Sequence, residues 1–468
     1  MKIQPQVNGD IRLRGTLCRI VGAGLVGSAA VLSLSRLDNV QVTAFEKSAV
    51  AREAGAWISL TVTGQKVLTK LVPPHEINAI AYRPPDKAVY VTRHWKTGES
   101  LIRRYSSEDL KEDYIQARTH RAPLLQLLLA HHPAGSVQYG SRISDIEVQG
   151  AQAVLRADDG STAGTYDLVV AADGLYSSIR RKFWPEHKVG YRGAVAYRCV
   201  FDKARVAHIT ELHDDSSSWS RNGEIVFLSE LGLGQYGVVI IRAETPEYAA
   251  NLRWERSIGA GGLDRLRGLY KEWDPVIGRV LDAIDDIQAY PLESGPWLRQ
   301  LSKEGRVALI GDAAHPTAGA YGAGAAMGFG DGWALYRALQ GTRRRVGTQA
   351  NPVVAATGYD VPAALHVFEE TRLPYLLRVE RQMAIDAQDK QYVAEAGNGD
   401  SEEWVARLKE TAGLFNQWLT EHDVELEVQK ALMSWRAIAN MPRRLLHEPS
   451  CDGLHTHSFR YAKLIIRI

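Results

Sequence analysis

Short apolar runs and polar breaks divide the chain into strand and helix segments. Residues 17–21 form a buried-strand run, Gly22, Ala23 and Gly24 read as a turn, and 27–37 carry apolar residues at helical spacing. A second run over 42–45 ends at Glu46, which completes a βαβ unit at the start of the fold. Two more strand–turn–helix segments follow, in DLVVAADGLYSSIRRKF and in RVALIGDAAHPTAGAYGAGAAMGFGDGWALYRAL. Between these two, residues 189–298 alternate in the strand manner, as in GAVAYRCVF, GEIVFLSE and YGVVIIRAE, with one helical stretch over 263–284. Residues 72–113 are mixed and loop-rich. Residues 341–360 read as a polar loop, 364–396 and 401–433 as long amphipathic helices, and 441–468 as irregular.

At roughly 150 residues per domain, 468 residues predict two or three domains. The 45% hydrophobic content supplies a full core and excludes a disordered chain. Lys and Arg total 56 against 54 Asp and Glu, so nothing in the charge predicts nucleic-acid binding. No run reaches the roughly 18 apolar residues that span a bilayer, which argues against stable membrane insertion. Cys18, Cys199 and Cys451 lie far apart, form no metal spacing and suit a reducing compartment, so free thiols and a cytoplasmic protein are expected. His131-His132 and His455-x-His457 have no partners at ligand spacing, so no metal site is predicted.

Gly22-x-Gly24-x-x-Gly27 carries the first chemical signal. The first glycine permits the turn, the second lets a pyrophosphate approach the backbone, and the third lets helix and strand pack closely. The helix N-terminus offers amide N–H groups to phosphate, and Glu46 can accept hydrogen bonds from ribose hydroxyls. Asp173, in Ala172-Asp173-Gly174, and Asp312, after Gly311, each follow a buried strand. Either aspartate alone could simply cap the next helix. Two of them, ordered after a dinucleotide turn, point to a cofactor.

These residues resemble the single-component FAD-dependent aromatic hydroxylases of the para-hydroxybenzoate and salicylate hydroxylase type. The resemblance runs over residues 17–435 and includes GAGLVG with Glu46, GAWISL, HRAPLLQLLL, ADGLYSSIRR, and GDAAHP followed by GAGAAMGFGD. The stretch WLTEHDVELEV resembles the helical tail of the fungal salicylate-hydroxylase-like branch. The family fold implied is α/β: a Rossmann-like FAD-binding domain (17–75, 114–185 and 300–345), an interleaved mixed β-sheet substrate domain (76–113 and 186–299) and C-terminal helices over 364–440. The resemblance implies that Gly22, Gly24, Gly27 and Glu46 hold the ADP part of FAD. It places Arg52 and Gly55 near the cofactor, gives Arg121 a reach to FAD, and assigns Asp312 to the ribityl chain and Asp173 to the middle motif. Gly322, Gly324 and Ala325 match the helix start under the flavin. Two departures stand out. Gly319-Ala320-Tyr321 occupies a stretch where relatives often carry proline, and Gly330-Asp331-Gly332 predicts a looser helix start.

The activity implied is oxygen insertion into a small aromatic, phenolic or polyketide-derived substrate by C4a-hydroperoxyflavin. NADPH or NADH serves as the transient electron donor and O₂ as co-substrate. Arg198, on the strand predicted over 194–201, is the expected cation that favours an ionised phenol, and Tyr236 stands in for a tyrosine that some relatives use. Two other readings stay open: hydroxylation or epoxidation of an indole or other non-phenolic ring, and a flavin-bearing interaction protein without turnover.

Overall fold

A computed structural model describes residues 16–51, 57–253, 256–343, 358–397, 399–412 and 417–439. The first sheet has six strands in the order Ser302–Lys303, Val307–Leu309, Leu168–Ala171, Thr16–Val21, Val40–Phe45 and Val137–Gln138. All pairs are parallel except the first. Every residue of Leu168–Ala171 and of Val307–Leu309 is buried, as in a parallel sheet covered on both faces. Val21 lies in register with Ala171, and Ala171 with Leu309. The turns beginning at Gly22, Ala172 and Ile310 therefore leave the same edge of the sheet side by side. Ligands of open α/β sheets bind at that carboxyl edge.

Helix Gly324–Thr342 crosses helix Leu25–Leu34 at close range. A Cβ on Gly328 would fall 2.4 Å from Val26 Cγ2, and one on Gly332 would fall 3.2 Å from the Ala30 backbone. On its other side, a Cβ on Gly330 would fall 2.9 Å from Val424. Gly330 and Gly332, expected to loosen this helix, instead let it pack closely against its two neighbours.

The second sheet has eight strands: Arg256–Ser257, Gln288–Ser294, Gly190–Asp202, Gln235–Ala243, Glu224–Gly232, Ser217–Arg221, Ala88–His94 and Ser100–Tyr105. Period-two alternation gives it two faces. Val195, Tyr197 and Cys199 pack with Val238 and Ile240 in a core under helices Gly259–Leu269 and Pro275–Asp282. Ala196, Arg198 and Val239 point the other way. The single helix expected over 263–284 is two, because Pro275 starts the second at N1 and Asp274 caps it, accepting the Val276 amide at 3.0 Å. The stretch read as loop-rich, 72–113, holds two strands that finish this sheet.

The C-terminal part is helical, over Val361–Glu395, Glu402–Ala412, Gln417–Thr420 and Val424–Ala439. The expected helix over 401–433 is thus three pieces. Most of the predicted loop over 341–360 and all of 441–468, with Cys451, lie outside the described residues. Cys18 and Cys199 are buried free thiols. Among the described residues no helix is long and apolar enough to cross a membrane, and no cluster could hold a metal ion.

Candidate active site

The turn after Thr16–Val21 accepts only glycine at two points. Gly22 has φ +98°, and a Cβ there would sit 2.4 Å from the Ala172 carbonyl oxygen. A Cβ on Gly27 would sit 1.9 Å from the Gly22 carbonyl oxygen. Gly24 begins helix Leu25–Leu34 with no side-chain cap, which leaves the first-turn amides available to a phosphate. Glu46 is pinned beside them: Oε2 accepts the Ala23 amide at 3.0 Å and Oε1 the Ser48 amide at 2.8 Å. A carboxylate oxygen carries more than one lone pair, so capacity remains for a ribose hydroxyl. This cradle fits the ADP part of a dinucleotide.

The two aspartates differ. Asp173 Oδ2 accepts the Ser178 amide at 2.8 Å and its hydroxyl at 3.2 Å, so this carboxylate caps the helix that follows. Its Oδ1 is buried with no hydrogen-bond partner among the described residues. Asp312 is exposed, and no hydrogen bond to its carboxylate is found among the described residues. Protein packed around the turn takes water from the carboxyl and raises its pKa above the ordinary value, against the pull of His315, Arg121 and Arg180. A lone acceptor there suits a polyol chain such as ribityl.

Arg180 ties the motifs together. Its buried guanidinium donates to the Asp312 carbonyl at 2.9 Å, to the Ala313 carbonyl at 3.0 Å, and to the Leu175 carbonyl. Asp331 does the same from the helix: Oδ2 accepts the Gly311 amide at 2.9 Å and His315 Nε2 at 2.6 Å, and Oδ1 accepts Arg372 Nε at 2.7 Å. Burial alone would raise the Asp331 carboxyl, but His315 and Arg372 hold it down at about 2. Neither Arg180 nor Asp331 was singled out as a site residue from the sequence. For Asp331 the one available signal was a charged residue inside an otherwise small or apolar stretch; Arg180, in the basic run SSIRRK, carried none.

Arg198 faces the Gly319–Gly322 loop, and a Cβ on Gly319 would be 3.6 Å from its Nη2. The guanidinium lies 5.0 Å over the Tyr290 ring, its Nε is buried without a partner, and no carboxylate pairs with it among the described residues. Burial and the charge of Arg121 lower its pKa to about 10. Arg121, at the start of helix Arg121–Ala130, acts electrostatically on both Asp312 and Arg198. Phe227, Val239 and Arg198 line up across three strands. Gly322 abuts Ser59, with a would-be Cβ 3.0 Å from Oγ. Gly324 and Ala325 begin the 19-residue helix Gly324–Thr342, and a Cβ on Gly324 would lie 3.7 Å from Asp312 Oδ1.

Tyr236 departs from expectation. Arg198 is paired with Val239, three residues along, so the pleat sends Tyr236 to the opposite face. It is 2% exposed in the core under the helices, 5.9 Å from the Phe201 ring. That placement makes it a packing residue. Tyr290, which sequence reasoning passed over, supplies the tyrosine beside Arg198. Arg52 and Gly55 lie outside the described residues.

A scan against protein-family models finds no match. Among curated proteins, the chain is 27% identical over 327 residues to a 6-hydroxynicotinate 3-monooxygenase of Pseudomonas fluorescens, covering 69% of this chain and 82% of that one. It is 26% identical over 432 residues to a salicylate hydroxylase of Pseudomonas putida, covering 88% and 94%. Among solved structures, the complex of CtdE with FAD and a substrate superposes with a TM-score of 0.72 over 91% of this chain and 100% of that one, at 15% identity. The dinucleotide cradle, the open aspartate at the neighbouring turn, the long sequence likeness and the shared fold together place this chain in the superfamily of FAD-dependent aromatic hydroxylases.

Proposed function

We propose that this protein is an FAD-dependent monooxygenase that uses NADPH or NADH and O₂ to hydroxylate or oxidatively dearomatise a small phenolic ring. Flavin supplies the redox chemistry; the chain supplies binding, orientation and electrostatics. Gly22, Gly24, Gly27 and Glu46 would hold the ADP part, with Asp312 and Arg121 toward the ribityl and ring end. The amide-rich start of helix Gly324–Thr342 would favour negative charge at the flavin edge.

The observation that carries the substrate side is Arg198, a half-buried guanidinium with no carboxylate partner among the described residues, facing the Gly319–Gly322 loop. Such a cation lowers the pKa of a phenol beside it and orients the ring through its oxygen. Phe227 and Val239 extend the apolar floor on the same face and limit water there. The relatives named for hydroxynicotinate and salicylate act on small rings that bear oxygen, which agrees with this charge. The test is purified protein supplied with FAD, NADPH or NADH, and O₂, with salicylate, 6-hydroxynicotinate and indole as probes. Yellow protein is expected, with donor consumption stimulated by a phenolic probe. Protein that takes up no FAD at micromolar levels overturns the proposal, and turnover of indole alone removes the phenolate role from Arg198.

A further inference from the structure

The loop that faces Arg198 is held in a conformation its residues do not favour. Ala318 has φ +50° and Tyr321 φ +57°, and the glycines Gly319 and Gly322 have φ +83° and +61°. Left-handed backbone at a non-glycine residue costs roughly 1–2 kcal/mol and persists only where the surroundings impose it. The loop's own hydrogen bonds are local: the Ala320 amide to the Thr317 carbonyl, Gly322 to Gly319, and Ala323 to Ala320. Among the described residues, one side-chain hydrogen bond leaves the loop for another element. The Tyr321 hydroxyl donates to Asp386 Oδ2 at 2.5 Å, and Asp386 Oδ1 accepts Gln382 Nε2 at 2.8 Å on the same long helix. Burial, then the Asp386 carboxylate, push the Tyr321 phenol above its ordinary pKa, so it stays a donor at neutral pH.

We propose that Tyr321 and Asp386 are positioning residues that tether the Gly319–Gly322 loop to helix Val361–Glu395 and so hold one wall of the ring pocket against Arg198. Neither side chain need touch the ring. The tether offsets the backbone cost at Tyr321, and its loss lets the loop relax away from Arg198 and from the start of helix Gly324–Thr342. The assignment of a ring pocket rests on the proposed function; the tether itself does not.

Hydrogen–deuterium exchange over residues 316–323 and acrylamide quenching of bound-flavin fluorescence test this on the FAD-loaded protein. Tyr321→Phe and Asp386→Asn are each expected to speed exchange in that segment at least tenfold and to increase quenching, with FAD affinity within threefold of wild type. Tyr321→Gly separates tethering from packing. Glycine takes positive φ without cost, so its exchange should fall between wild type and Tyr321→Phe. If the ring merely fills space, the glycine variant will be the loosest of the set. That order, or wild-type exchange in both Tyr321→Phe and Asp386→Asn, overturns the proposal. If the protein takes up no FAD, the monooxygenase reading fails, while exchange on the apoprotein still decides the tether.

Discussion

Arg198 and Asp312 are groups that folding alone would not choose. Arg198 is half-buried and Asp312 is open to solvent beside a crowded turn, each with no hydrogen-bonding ion of opposite sign among the described residues, an arrangement that adds little to stability and is kept where a ligand completes it. For Asp312, replacement by alanine should weaken FAD binding by about 10- to 150-fold, the range for losing a hydrogen bond of about 1.5–3 kcal/mol to a charged acceptor. Titration of apoprotein with FAD, followed by fluorescence, measures it; unchanged affinity removes the ribityl role. For Arg198, alanine should leave flavin reduction intact and send most of the oxygen to H₂O₂. The sign of its pKa shift adds a second test. The guanidinium is charged below about 10, so coupling of oxygen to product should hold at neutral pH and fall as pH rises through that value. The apoprotein should behave oppositely. An arginine whose pKa drops on folding is costly while ionised, so Arg198→Met should melt higher than wild type at neutral pH. A lower melting temperature would make Arg198 a structural residue.

Helix Gly324–Thr342 shows how packing reverses a propensity. Glycine to alanine inside a helix ordinarily gains about 1 kcal/mol. At Gly328 the added carbon meets Val26 at 2.4 Å, and overpacking of this kind costs roughly 1–3 kcal/mol. Gly328→Ala is therefore expected to lower the urea midpoint, and Val26→Ala in the same chain to restore part of it. Additive losses in that double-mutant cycle would rule out the contact as the cause. On the same helix, Asp331→Asn breaks a buried pair with Arg372 and should cost about 3–5 kcal/mol at neutral pH. A carboxyl held at about 2, below its ordinary 3.8, gives stability that is present above 3.8 and lost as pH falls through 2. The difference between variant and wild type should thus shrink in acid. The sequence made the βαβ unit and the strand-ending motifs legible because apolar runs, glycines and acids there are local and dense. It hid the reason for Gly328, Gly330 and Gly332, since their partners are Val26, Ala30 and Val424, hundreds of residues away in two cases. It also misplaced Tyr236, because which face a strand residue takes depends on register with a neighbouring strand. Tyr290 escaped notice for the same reason.

At the scale of the molecule, the long helix Val361–Glu395 meets both halves of the fold. Near its start, Glu369 accepts the Leu301 and Ser302 amides, each at 2.7 Å, at the edge of the first sheet. Just beyond its end, the Gly399 carbonyl accepts Trp95 Nε1 at 2.9 Å and lies 3.0 Å from His94 Nε2 on the second sheet. Gly399 has φ +86°, and a Cβ there would sit 3.0 Å from Trp95 Nε1. Gly399→Ala should undock this end and raise the accessibility of Trp95, read as a red shift in tryptophan emission. An unshifted spectrum would mean the carbonyl contact does not hold the helix.

The strand order of the first sheet has a consequence for the life of the chain on the ribosome. Its first strand and one neighbour, Val40–Phe45, are made early, but Leu168–Ala171, which pairs with the other edge of that strand, and Val307–Leu309 beyond it emerge much later. At about 5–20 residues per second, the interval between Gly22 and Gly324 is roughly 15–60 s. Through that time the nascent Thr16–Val21 strand has an incomplete sheet, and the cradle lacks Asp312. The cofactor therefore cannot act as an early folding template; it can only lock a fold that is nearly complete. Nascent chains stalled at residue 300 should retain no flavin, and chains released at full length should acquire it.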